Sequence, residues 1–478
     1  RLYANTQSGY VFALDMDSGE LLWEVKVATN ATGTGGDSAC LLAVNGTIVS
    51  ATDTPDDGKG GNYAVVALDT EGRRRWTFSV GPFKSYNFQA SSPGDGTVVF
   101  QDSAGGVYRL RIDTGELMWQ SGIMDRKVEY FSTGAAVVGP NGIVYAASNT
   151  LSGGVIHAYR LDDGALVWRR DIDMLANQAV AVGPIAGSGG RLAAVAGVGE
   201  NPGLPPLVAL SVLGIASPVV FTAMVLDICL LKCCKSRCCG GLSPLRFALP
   251  FLPLLMVVHY ILTTDDFPPS ERQFIEPGVV NGMKIVFFII LYIRRLIRCQ
   301  WWYGSPGRLC RLVLLVLVVT VGSWTILASI HILSTICGGY PSWLWHSKEL
   351  PSGLLAFDAE TGKNIWTYTP PPFQRLSCVG DESNFLPRVA KRFEDPVGDL
   401  ICLPDSWSQA VIDASGTVFV GFMDGHMYVV RDEDGDGKIT GSEASSVDFQ
   451  NAFQGTQAIA PGMLVVVPCG GGMHVWRS

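Results

Sequence analysis

The sequence predicts a modular all-β fold interrupted by a block of membrane-spanning helices. Three observations carry that reading. A short phrase ending in Trp recurs along the 478-residue chain. Short apolar strands flanked by Gly turns precede most copies of it. Between the fourth and fifth copies, residues 203–345 hold four long apolar runs.

The phrase is small/apolar–x–Asp–x–x–x–Gly–x–x–x–Trp. Complete copies are Ala13, Asp15, Gly19, Trp23 and Ala356, Asp358, Gly362, Trp366. Looser copies end at Trp76, Trp119 and Trp168. Before Trp76 the turn is one residue shorter (Ala67, Asp69, Gly72), and Arg111 and Arg160 replace Asp in the other two. Each copy reads strand, tight turn, strand: Tyr10 to Leu14 alternates, Asp17-Ser18-Gly19 is turn chemistry, and Leu21-Leu22-Trp23 resumes an apolar strand. The Trp gives each unit one large surface for packing on a neighbour. Gly46-Thr47, Gly96-Thr97, Gly142-Ile143 and Gly416-Thr417 open a further strand pair. About four short strands per unit make the blade of a β-propeller. Five blades end at the five Trp residues, a sixth runs through 416–439 and a partial seventh through 458–476. Seven or eight four-stranded blades are therefore expected. The chain opens mid-blade at Arg1 without a signal peptide, which fits a mature or incomplete chain, or first and last strands sharing one closing blade.

The phrase resembles the repeat of the quinoprotein-type (PQQ-like) propeller family, over residues 1–202 and about 351–478. The resemblance implies that each phrase docks one blade onto the next. It also implies kinship with enzymes that hold PQQ on the central axis, beside a Ca²⁺ bound by acidic or amide side chains. A vicinal cystine stacks on the cofactor in many of them. Here the adjacent pairs Cys233-Cys234 and Cys238-Cys239 lie in the interruption, so no such cystine is expected in the propeller.

The apolar runs cover 204–231, 245–262, 279–293 and 312–336. The first, second and fourth are long enough to cross roughly 30 Å of hydrocarbon as helices. The third carries Lys284 and spans only if that side chain snorkels. Basic loops follow the first run (Lys232, Lys235, Arg237) and the third (Arg294, Arg295, Arg298), and the loop between the second and third is acidic. The positive-inside rule then places the basic loops in the cytoplasm. Four crossings return the chain to its starting side, so both propeller parts would lie on the extracytoplasmic or lumenal side. The expected organisation is propeller 1–202, a transmembrane four-helix insertion 203–345 and propeller 346–478. This makes a multi-pass protein whose partners are the lipid bilayer and other membrane-protein subunits. The net charge of −8, with basic residues concentrated in the insertion, argues against nucleic acid.

The strongest chemical motif is 432–443, which fits the EF-hand-type calcium loop: carboxylates at positions 1, 3 and 5, Gly at 6, an apolar residue at 8, Glu at 12. Asp432, Asp434 and Asp436 would give side-chain oxygens. Lys438 would give its carbonyl, Thr440 a water-mediated contact and Glu443 two oxygens. A strand enters the loop, a helix is expected over 443–453, and no partner hand exists, so the expected ion is structural Ca²⁺. In the repeat frame Gly435 and Ile439 stand where the turn Gly and the Trp would be.

Cys40, Cys378, Cys402 and Cys469 either form disulfides in one of three pairings or remain buried thiols. Cys233, Cys234, Cys238 and Cys239 sit among Lys and Arg at a helix end, a setting for S-acylation. His259 and His331 fall near the outer ends of two runs and could ligate haem or another tetrapyrrole, against a plain interfacial role. Asn30-Ala-Thr32 and Asn45-Gly-Thr47 are glycosylation sequons at close to chance frequency. No catalytic residues can be assigned. The expected function is a non-catalytic scaffold or accessory subunit of a membrane complex. The alternatives are a membrane quinoprotein dehydrogenase feeding electrons to quinone and a lumenal sensor.

Overall fold

The computed structural model describes residues 1–6, 9–27, 41–42, 46–52, 62–81, 83, 85, 88–122, 134–150, 153–202, 346–375, 378–380, 405–470 and 472–477. Seven antiparallel sheets follow one another, giving an all-β propeller of seven blades. Sheet 1 holds β1 (Leu2–Asn5), β2 (Tyr10–Leu14) and β3 (Leu21–Lys26). Sheet 2 holds β4 (Leu41–Leu42), β5 (Ile48–Thr52), β6 (Ala64–Leu68) and β7 (Arg74–Ser79). Sheet 3 holds β8 (Ala90–Ser91), β9 (Thr97–Gln101), β10 (Val107–Arg111) and β11 (Leu117–Ser121). Sheet 4 holds β12 (Val137–Val138), β13 (Ile143–Thr150), β14 (Gly153–Arg160) and β15 (Leu166–Ile172).

Sheet 5 begins with β16 (Ala181–Pro184) and β17 (Leu192–Gly199). A separate pair joins β18 (His346–Leu350) to a later strand. Sheet 5 resumes with β19 (Ser352–Asp358) and β20 (Asn364–Tyr368), and β21 (Phe373–Arg375) then completes the pair with β18. Strands β17 and β19 pair from Ala193↔Asp358 to Gly199↔Ser352 without a register break. Sheet 6 holds β22 (Val411–Ile412), β23 (Val418–Gly421), β24 (His426–Val430) and β25 (Ala444–Asp448). Sheet 7 holds β26 (Ala458–Ala460), β27 (Met463–Val466) and β28 (His474–Arg477).

Burial explains the composition of each strand. The middle strands β5, β6 and β9 are buried at every residue, because both faces pack against neighbouring sheets. The outer strands β3 and β7 alternate between exposed and half-buried residues. Apolar side chains collect between consecutive sheets rather than in one centre. Val49, Val65, Phe100 and Tyr108 join sheets 2 and 3, and Val99, Trp119, Val144 and Tyr159 join sheets 3 and 4. Each fully buried Val, Leu, Ile or Phe contributes about 1.5–3 kcal/mol. The fold is therefore held seam by seam.

Three expectations are corrected here. The fold is not a propeller interrupted by four transmembrane helices, and a multi-pass location is not supported. The described residues form strands and turns with no helix, and none of their elements is a helix long and apolar enough to cross a membrane. The runs at 204–231, 245–262, 279–293 and 312–336 lie outside the described residues. The physical reason is that apolar length alone does not specify a helix. Strands buried on both faces read as unbroken apolar runs too, as Ala64–Leu68 does. The orientation read from the basic loops rested on those spans and goes with them. The third correction is local: the helix expected over 443–453 is instead strand β25, paired with β24 from Val430↔Ala444 to His426↔Asp448.

Candidate functional site

The recurring phrase builds a docking joint between consecutive sheets. The indole N–H of Trp23 donates to the Thr70 carbonyl, that of Trp76 to Ile112, Trp119 to Leu161 and Trp168 to Ala359, at 2.7 to 2.9 Å. Each acceptor follows the phrase's Asp or Arg on the next sheet. The same Trp ring covers the next sheet's turn Gly. A Cβ on Gly72 would lie 3.0 Å from the Trp23 ring, on Gly115 2.6 Å from Trp76, on Gly164 2.8 Å from Trp119 and on Gly362 2.7 Å from Trp168. These glycines have φ between 66° and 79°, a second reason for Gly. The phrase's Asp shapes the turn: Asp358 Oδ1 accepts from Thr361 N and Oγ1 at 2.9 and 2.8 Å. Where Arg160 replaces it, Asp163 takes over, accepting from Ala165 N and Arg160 Nε.

Between sheets 5 and 6 the loop 432–443 stands in for that joint. It connects β24 to β25 and is closed by Arg431 N donating to the Glu443 carbonyl at 2.9 Å. Asp432 is buried; its Oδ1 accepts from Gly435 N at 2.8 Å and its Oδ2 from Gly437 N at 3.2 Å. Asp434 and Asp436 are exposed, yet one carboxylate oxygen from each and one from Asp432 all lie within 4.8 Å of one another. Three carboxylates so close repel one another unless a cation lies among them. The buried Glu443 caps the far end: Oε1 accepts from Glu433 N, and Oε2 from Thr440 N and Oγ1. The Thr440 and Glu433 N–H groups hold its carboxyl below the usual range. The loop lies against sheet 5: Lys438 forms a parallel bridge with Thr367, and a Cβ on Gly435 would lie 2.5 Å from the Gly187 carbonyl. Ile439 packs at the cluster that buries Trp366. The structure thus gathers Asp432, Asp434 and Asp436, sets Lys438 against Thr367, and uses Glu443 and Thr440 to hold the loop's backbone.

A polar cluster that sequence reasoning missed ties sheets 4, 5 and 6. Asp405, just before β22, accepts from Asn177 Nδ2 at 2.9 Å, Asn201 Nδ2 at 2.6 Å and Gln178 Nε2 at 2.6 Å. Burial pushes its carboxyl up to about 6, against the three amide donors, which favour the ionised form. Two of the three amide oxygens are engaged as well: Asn201 Oδ1 accepts from Ser406 N, and Asn177 Oδ1 from Asn149 Nδ2, whose own Oδ1 accepts from Ala176 N. A PQQ-bound calcium needs acidic or amide oxygens turned toward it. Here the three amides turn N–H groups to Asp405, and Asn177 and Asn201 spend their oxygens elsewhere, so the cluster does not fit that group.

Cys469 is disulfide-bonded and Cys378 is a buried thiol. Cys40, Cys402, the four Cys at 233, 234, 238 and 239, His259, His331, Lys284 and both sequon asparagines lie outside the described residues.

A family model described as outer membrane protein assembly factor BamB matches residues 1–151. No curated protein matches the chain. Among solved structures, BamB from Moraxella catarrhalis is 12% identical with a TM-score of 0.36, the match covering 100% of this chain and 93% of that one. The quinohemoprotein alcohol dehydrogenase ADHIIG from Pseudomonas putida HK5 is 11% identical with a TM-score of 0.44, the match covering 97% of this chain and 60% of that one. The chain carries a PQQ-type repeat on a β-propeller.

Proposed function

We propose that this propeller is a non-catalytic platform that docks partner proteins within a larger assembly, with Ca²⁺ in loop 432–443 as a structural ion. The observation that carries the reading is a set of exposed apolar side chains in the strands beside the Trp119–Gly164 joint. Leu117 and Met118 precede that Trp, and Leu166 and Val167 follow that Gly; all four are 38 to 56% exposed. Large side chains held open to water on two docked blades suit a protein interface. The matched family, by its description an outer membrane protein assembly factor, supports an accessory role. The calcium part rests on the three gathered carboxylates and the EF-hand-type spacing.

The test is the native mass of the intact chain isolated from its source, alongside the double variant Met118→Ser/Val167→Ser. We expect a stoichiometric complex for the natural chain and its loss for the variant, with the variant's melting curve unchanged. A lone chain, or a complex indifferent to the variant, would overturn the reading.

A further inference from the structure

Asp405 sets an ionisable group where three chain segments meet. It stands just before β22 of sheet 6, Asn177 and Gln178 lie on the connector from sheet 4 to sheet 5, and Asn201 follows β17 of sheet 5. Asp405 Oδ1 accepts from Asn177 Nδ2 and Asn201 Nδ2, and Oδ2 from Gln178 Nε2, at 2.6 to 2.9 Å. Two of these amides are fixed in orientation, because Asn177 Oδ1 accepts from Asn149 Nδ2 and Asn201 Oδ1 from Ser406 N. Among the described residues Gln178 makes one side-chain hydrogen bond, the one to Oδ2, so its amide can turn. The seam between sheets 6 and 7 is closed by neutral groups instead. Thr456 Oγ1 donates to Gln409 Oε1 at 3.0 Å, and Gln457 is hydrogen-bonded to Ser408 Oγ at 3.0 Å. Gln178, Gln409 and Gln457 each precede an Ala at the start of an inner strand. The same position of the repeat thus meets hydroxyls in one seam and a carboxylate in the other.

We propose that Asp405 and Gln178 form a proton-coupled switch at the junction of sheets 4, 5 and 6: a proton taken up on Oδ2 turns the Gln178 amide, so that its oxygen accepts where its N–H donated. The proton goes to Oδ2 because the two donors on Oδ1 cannot turn to offer an acceptor. The residue keeps part of its surface in solvent, which gives the proton a way in. Burial and the three amides set its titration; Asp173 and Glu200, the charged side chains on segments 173–178 and 199–201, are not among the causes. Burial wins over the amide donors and raises the carboxyl to about 6. The folded chain therefore holds this proton more tightly than the unfolded chain. The stability it contributes is full in acid and is lost as pH rises through about 6. The proposal stands apart from the platform reading.

The experiment is urea unfolding of the full chain between pH 5 and 8, beside Asp405→Asn, a neutral mimic of the protonated side chain. Relative to the variant, the unfolding constant of the natural chain should rise about tenfold across that range. A merely structural role would change stability alike at every pH. Parallel profiles, or a natural chain that gains on the variant as pH rises, would overturn the proposal. Gln178→Leu is the second variant and serves alone if Asp405→Asn does not fold. Loss of a donor that favours the charged form should move the midpoint of the pH profile upward. An unmoved or lowered midpoint would overturn the proposal as well.

Discussion

Asp432 and Glu443 are the buried ends of an acidic loop whose middle is exposed, and the two ends have different tasks. Asp432 shares one cluster of oxygens with Asp434 and Asp436. Glu443 accepts three hydrogen bonds from the loop itself, so it links loop shape to whatever fills the cluster. Calcium that binds only the folded chain adds about 2.7 kcal/mol at a hundredfold excess over its Kd. We therefore expect the melting temperature to rise with calcium, to fall in chelator, and to respond about tenfold less sensitively to calcium in Glu443→Gln. A melting curve indifferent to calcium would remove the ion from the account. This loop was legible in the sequence because its candidate donors fall within one short stretch. The Asp405 cluster was not, because its donors come from residues as far as 228 positions away and no local spacing marks them.

At the scale of elements, the joint between sheets can be separated from the strain of its turn. Gly19 and Gly115 have nearly the same φ, 73° and 74°, but among the described residues a Trp ring covers only Gly115 of the two. Gly19→Ala should cost only the left-handed backbone penalty, about 1–2 kcal/mol. Gly115→Ala pays that and must also displace Trp76, whose ring lies 2.6 Å from the new Cβ; overpacking adds about 1–3 kcal/mol. Urea unfolding of the two variants reads the difference directly, and equal losses would mean that the ring contributes nothing to the joint. The phrase itself was readable because strand, turn and Trp are local and repeated. The strand after the calcium-type loop was misread as a helix for the opposite reason. Ala444–Asp448 is an outer strand with four of its five residues exposed, so it lacks the apolar alternation of a half-buried strand. Only its pairing with β24 reveals it.

At the scale of the whole molecule, contacts join chain segments far apart in sequence. Contacts group residues 1–203 and 346–478 into one compact unit. Within it β17 pairs with β19 over seven residues, the Trp168 N–H and Tyr145 hydroxyl both donate to the Ala359 carbonyl, and Trp407 packs on Gly197. The repeat on both sides of the interruption was visible in sequence. The interruption was given helices because hydropathy records length and apolarity, while the order of the sheets depends on pairing across it. A prediction follows from that pairing. A protease site introduced within residues 265–276, cut under reducing conditions, should yield two fragments that still elute together at the intact mass and part only in denaturant. Folding of the cut protein becomes bimolecular, so its melting temperature should fall on dilution while that of the uncut chain stays constant. Separation of the fragments on cutting would show that covalent continuity, rather than sheet 5 and its joints, holds the two segments together.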